Sequence, residues 1–123
     1  MGFIEGDHFD DEQCLALLGR SQFGRIALSL MAVQVVFPVR YALTGGELLF
    51  ALSVDQLAQA LDERIATLQA DGFEEDRGQR WTVFAVGPVR RVEEFEGPEL
   101  AGTSGDLFRL QPAILSGRWI ETL

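Results

Sequence analysis

From Gly24 to Leu52 the chain is written in strand-length apolar pieces, and this pattern restricts it to antiparallel sheet. Ile26, Leu28 and Leu30 alternate with Ala27 and Ser29, the two-residue period of a strand with one buried face. Val33, Val35, Phe37 and Val39 form the next inward series. Val36 makes that second piece apolar on its other face as well, which predicts a strand covered on both sides, as in a barrel wall at an interface. Pro38 cannot donate a ladder hydrogen bond, so it marks an edge, a bulge or a ligand-facing break. Thr44-Gly45-Gly46-Glu47 supplies a hairpin turn.

The remaining segments fit around this sheet. Asp10 and Gln13 have capping-box spacing, and the acids that follow Asp10 favour the positive end of a short helix that stops at Gly19. Ser53 and Gln56 have the same spacing and predict a second short helix, with Leu57, Ala58 and Leu61 on one face. Arg64 to Gln69 reads as a strand, and Asp71 to Gln79 as an acidic loop containing glycine. Arg80 to Val92 is the longest strand candidate, bent or bulged at Gly87-Pro88. A short helix from Pro98 and late strands at 106–110 and 116–121 complete the reading. Many short strands with only short helices favour a mainly β fold, a β-barrel with peripheral helices.

At 123 residues the chain is expected to be one domain, 1–123, with residues 1–9 as a flexible lead. A chain this long buries about two thirds of its unfolded surface, and with 47% hydrophobic residues it has apolar surface left for a homodimer contact. The net charge is −9, and all ten basic residues are arginine. That field disfavours nucleic acid, although a local arginine group can still hold one anion. No apolar run is long enough to span a membrane, and no signal peptide is evident, so no membrane partner and a cytoplasmic location are expected.

Protein-borne reactive chemistry is scarce. His8 is the single histidine and Cys14 the single cysteine, so neither an intrachain disulfide nor a histidine-based nucleophile is expected. No metal site is expected either, because the Asp7-His8-Phe9-Asp10-Asp11 cluster reads as a solvated acidic lead. An enzyme built on this chain would leave the hard step to a cofactor.

Glu12-x-Cys14-Leu15-x-Leu17-Leu18, Gly24-Arg25-Ile26-Ala27, Phe37-Pro38-Val39-x-Tyr41, Gly46-x-Leu48-Leu49-Phe50, Trp81-Thr82-Val83 and Ser116-Gly117-Arg118 occur in this order. Together they resemble the pyridoxamine 5'-phosphate oxidase-like family of flavin-binding split barrels. The resemblance implies a homodimeric split β-barrel with FMN at the dimer interface and a flavin-dependent oxidoreductase activity. It places the flavin ring against the backbone of Pro38, Val39, Arg40 and Tyr41. It brings Trp81 near the inter-subunit cleft, although a plain core role suits that residue equally well. The phosphate is expected after the next strand, where the family often reads Phe-Arg-Thr and, later, Lys-Leu. Here Ala51, Leu52 and Gln56 replace those polar and basic residues. Ser53 and Gln56 would form what remains of an anion seat, or simply cap their own helix. Arg40, Arg64 or Arg80 would be the arginine that reaches in. The degenerate grip leaves two alternatives: a non-catalytic dimeric binding module, or a binder of another small aromatic cofactor such as deazaflavin or haem.

Overall fold

The computed structural model describes residues 8–53, 61–93 and 105–120. Among these are one helix and seven strands: α1 (Asp11–Leu18), β1 (Phe23–Leu30), β2 (Val33–Thr44), β3 (Glu47–Leu52), β4 (Ile65–Glu74), β5 (Gln79–Val92), β6 (Asp106–Leu110) and β7 (Ile114–Ile120).

Local chemistry sets α1. The Asp10 carboxylate accepts from the Gln13 amide at 2.8 Å, and the Gln13 side chain accepts from the Asp10 amide at 3.0 Å. Two orphan amides of the helix start are satisfied in this way, and Gly19 caps the other end. Cys14, Leu17 and Leu18 turn inward. Phe9 joins the fold through a hydrogen bond from its amide to the Gly117 carbonyl (2.9 Å), and His8 bridges to Arg118.

All ladders are antiparallel, in the order β4-β1-β2-β3-β6-β5-β7, and β4 also pairs with β5. Six strands therefore close into a barrel, with β7 outside it on β5. β6 and β7 run along one edge of β5 in succession. β6 pairs with 89–92, β7 with 80–86, and the chain crosses between them at Gln111–Ala113. Gly87 makes that crossing possible, because a Cβ there would stand 1.9 Å from the Gln111 carbonyl oxygen. The β4 ladder runs through Gly87 and Pro88 in continuous register, so the expected bulge is absent from it.

The core fills the barrel with Ile26, Leu28, Val39, Tyr41, Leu48, Phe50, Leu68, Val83, Phe108 and Leu110, all buried. Phe50 stacks on Phe108 with ring centroids 5.8 Å apart. Of the expected inward series on β2, Val39 is buried and Val35 and Phe37 partly so, whereas Val33, beside the hairpin tip, is 62% exposed.

Residues 71–74 correct the sequence reading. They continue β4 rather than opening a loop, and only residues 75–78 turn. Glycine at 72 weakens a strand signal but is required here, since a Cβ would lie 2.5 Å from the indole of its cross-strand partner Trp81. β7 also starts two residues earlier than its polar residues suggest, at Ile114. The helix expected from Ser53 to Leu61 and the one expected from Pro98 fall largely outside the described residues.

Candidate functional site

β2 changes partners along its length, and this change creates an opening. Residues 33–40 pair with β1, while residues 41–44 pair with β3. β3 leaves β2 after Phe50, while its pairing with β6, which runs from Leu48, continues through Ala51 and Leu52. From Arg40 backwards, the β2 edge that faces away from β1 has no ladder partner among the described residues. The Tyr41 amide donates to the Gln22 carbonyl at 2.9 Å, on the β1 side. Alternation then directs the Arg40 amide and the Pro38 carbonyl to the unpaired edge. Proline sits there without losing a ladder bond, so the edge reading of Pro38 is the one that applies.

The flanking side chains follow the same alternation. Val39 and Tyr41 are buried in the barrel, so Arg40 points to the outer face. In the register set by Tyr41 and Phe50, Arg40 and Ala51 are the next residues on either side of the split. Arg40 Nε is buried with no hydrogen-bond partner. A buried guanidinium nitrogen left unsatisfied is costly, and a ligand oxygen at the split would relieve that cost.

Beside the split lies a broad outer sheet face. Val36, Ala27, Thr67, Val86 and Ile114 are successive cross-strand partners over β2, β1, β4, β5 and β7. Pro38, Arg25, Gln69, Phe84 and Ser116 form the adjacent row. Phe23 (67%), Val36 (58%), Phe84 (40%) and Ile114 (60%) are exposed large hydrophobics on these strands. A polar knot lies among them. Arg25 donates to Gln69 Oε1 at 2.8 Å, Gln69 Nε2 donates to Thr82 Oγ1 at 3.0 Å, and Arg25 stands 3.5 Å from Asp71. A concavity of about 250 Å³ lined by Phe23, Gly24, Arg25, Pro38 and Asp71 joins this knot to the β2 edge.

The seven expected site residues divide by direction. Pro38 and Arg40 lie on the outer face at the split. Val39, Tyr41 and Trp81 are buried, at 5%, 1% and 3% exposure, and face the core. Trp81 packs over Gly72, and the Tyr41 hydroxyl donates to the Leu18 carbonyl at 2.7 Å, tying α1 to the barrel. Ser53 is exposed just past the end of β3, and Gln56 is outside the described residues. Leu52, at the expected threonine position, is buried in the core. Sequence reasoning missed the face formed by Phe23, Arg25, Gln69 and Phe84. Its one local signal was the apolar Val36, because the other members come together only through pairing.

Acid–base chemistry is confined. Burial, reinforced by the charges of Asp11 and Asp10, pushes the Cys14 thiol up to about 11, which keeps it protonated and inert. Burial likewise pushes the Tyr41 phenol up to about 12. Among the described residues no group of three or more His, Cys, Asp or Glu is placed to hold a metal ion, and no helix is long and apolar enough to cross a membrane.

Comparison with known proteins agrees with this architecture. Residues 10–118 match the family described as pyridoxamine 5'-phosphate oxidase. The fold is similar to that of a FAD-binding protein from Mycobacterium smegmatis, with a TM-score of 0.76, 21% identity, and coverage of 93% of this chain and 97% of the other. It is also similar to a FAD-binding protein from Mesorhizobium loti, with a TM-score of 0.75, 15% identity, and coverage of 93% and 97%. A FAD- and haem-binding protein from Mycobacterium smegmatis gives a TM-score of 0.72 and 16% identity over 94% of this chain and 74% of the other. No match is found among curated proteins.

Proposed function

The chain belongs to the pyridoxamine 5'-phosphate oxidase family, and from that premise we propose that it is a homodimeric flavin-binding protein whose flavin lies at the β2 split. The observation that carries this reading is Arg40. Its unsatisfied, buried Nε stands across the split from Ala51, the position where the family resemblance puts an arginine. A guanidinium reaching the same opening from the opposite strand takes over the role of the missing one. Two of the similar structures are described as FAD-binding proteins and a third as binding FAD and haem, which supports a flavin over an unrelated ligand. FMN is the form proposed here, because ring and phosphate are all that the edge and Arg40 address.

A bound flavin supplies hydride or electron transfer at its ring, the basis for proposing an oxidoreductase. The chain's own contribution is binding and exclusion of water. The Arg40 amide and the Pro38 carbonyl offer the ring a donor and an acceptor at the unpaired edge. The Arg40 guanidinium holds an oxyanion, with exposed Ser53 as the polar group beyond β3. A second copy over the Val36–Phe84–Ile114 face would seal the site, burying more than about 2,000 Å² in total for an obligate interface.

One observation favours a second reading. Leu52 is part of the core and Ala51 carries no polar group, so the strand that usually grips the phosphate contributes nothing to it. A dimeric module without flavin, or with haem or a deazaflavin, follows if Arg40 alone is insufficient. The absorbance spectrum of the purified protein, before and after addition of FMN or FAD and desalting, separates the two. The flavin reading expects a retained flavin band together with a dimer mass by light scattering. A colourless protein after desalting overturns it, and a monomer mass removes the shared interface.

A further inference from the structure

A second arginine arrangement lies outside the flavin site. Arg90 of β5 and Arg109 of β6 are direct cross-strand partners. Their neighbours Val89 and Leu110 are fully buried, so both guanidinium groups stand on the outer face. Like charges directly opposite one another destabilise a sheet. Glu47 Oε2 lies 3.2 Å from Arg109 Nε and neutralises one of the two. Arg90 has no salt bridge among the described residues, so the pair keeps a positive charge on a chain whose net charge is −9. The two arginines open on a concavity of about 280 Å³, lined by Pro88, Arg90, Arg109 and Gln111, with no carboxylate among its described lining residues. The Gln111 backbone amide donates to the Pro88 carbonyl at 3.1 Å, which holds this residue in the crossing that Gly87 permits. This concavity is separate from the split. Arg109 pairs with Leu49 and Leu49 with Ala42, and both of those are buried on the outer face.

We propose that the Arg90–Arg109–Gln111 concavity binds the phosphate group of a small phosphate monoester. Two guanidinium groups and a side-chain amide supply donors on one side, and an oxyanion between the arginines relieves their repulsion. Pro88 gives the organic part an apolar wall. A polyanion is disfavoured, because the field of the whole chain repels it.

The experiment uses the flavin-free full chain, with inorganic phosphate and phenyl phosphate titrated at ionic strength matched by chloride. Melting temperature is followed, and amide NMR shifts map the contact. Both ligands are expected to raise the melting temperature and to saturate in the millimolar range, phenyl phosphate at the lower concentration. Shifts should centre on residues 88–92 and 109–111. Arg90→Gln should weaken half-saturation at least fivefold, read from the shifts of residues 88–92 and 109–111. The proposal is overturned if the rise does not exceed that in chloride, if Arg90→Gln binds as the wild type does, or if inorganic phosphate binds more tightly than the monoester. Because Arg90 is exposed, its substitution leaves the core intact, and shifts centred on Arg40 would assign the anion to the split instead.

Discussion

The two halves of β2 have the same backbone conformation and opposite uses. Residues 41–44 have β3 as a ladder partner, and their anchor, Tyr41, is 1% exposed and bonded to Leu18. Residues 33–40 pair with β1 alone, and they carry Val36 at 58% exposure and the unsatisfied Arg40 Nε. The difference is not one of composition, since both halves are largely apolar. It arises because the β2–β3 ladder ends at Tyr41 and Phe50 while β3 stays with β6, so the β2 edge beyond has no ladder partner among the described residues. A barrel wall becomes an unpaired edge within one residue, between Tyr41 and Arg40.

The comparison breaks most visibly in stability. Tyr41→Ala removes a buried ring and its hydroxyl, and should lower unfolding free energy by about 3–5 kcal/mol, read from denaturant midpoints. Arg40→Ala, one residue away, removes an unsatisfied buried nitrogen instead of a packed ring, and should not lower it. Equal losses at the two positions would erase the distinction between wall and edge.

The next effect is on assembly. Val36→Asp places a carboxylate on the outer face, where a second copy is proposed to sit. Burying it unpaired should weaken association by about 3 kcal/mol, roughly a hundredfold. Sedimentation or light scattering should show monomer at micromolar concentration, with the melting of the isolated chain little changed. A variant that stays dimeric would move the interface off this face.

These contrasts show how much of the molecule the sequence discloses. The Asp10–Gln13 box and the Thr44–Glu47 turn are local, and they fold as read. The barrel class follows from alternation and from the family resemblance. The extension of β4 through Asp71–Glu74 does not, because its acids and Gly72 mimic a loop until Trp81 is placed above the glycine. Site residues are harder still. The sequence leaves Trp81 evenly between cleft and core, and only the folded chain shows its side chain, like that of Tyr41, buried. Arg40 looks like a mere departure from the family pattern, and only the parting of β2 and β3 sets it opposite Ala51.

A smaller effect sharpens the role of Tyr41 through pH. Its phenol is raised by burial to about 12, against about 10 in the unfolded chain. Below pH 10 both states hold the proton. Between 10 and 12 the unfolded chain releases it and the folded chain does not, so stability falls as pH rises. Cys14, raised to about 11, adds a similar decline that starts lower, near 9. Tyr41→Phe should remove the upper part of the decline. At neutral pH it should cost about 0.5–1.5 kcal/mol for the lost bond to Leu18. An unchanged alkaline profile in that variant would mean the phenol is not held in the core.

The central claim is that Arg40 completes a flavin site at the split, and flavin affinity tests it most directly. FMN is titrated into the wild type and Arg40→Gln, with quenching of flavin fluorescence as the readout and melting temperatures as the control. One charge-assisted contact is expected to contribute about 1.5–3 kcal/mol, so the variant should bind roughly tenfold to a hundredfold more weakly at equal stability. Equal affinity in the two proteins, or no binding by the wild type, would contradict the account.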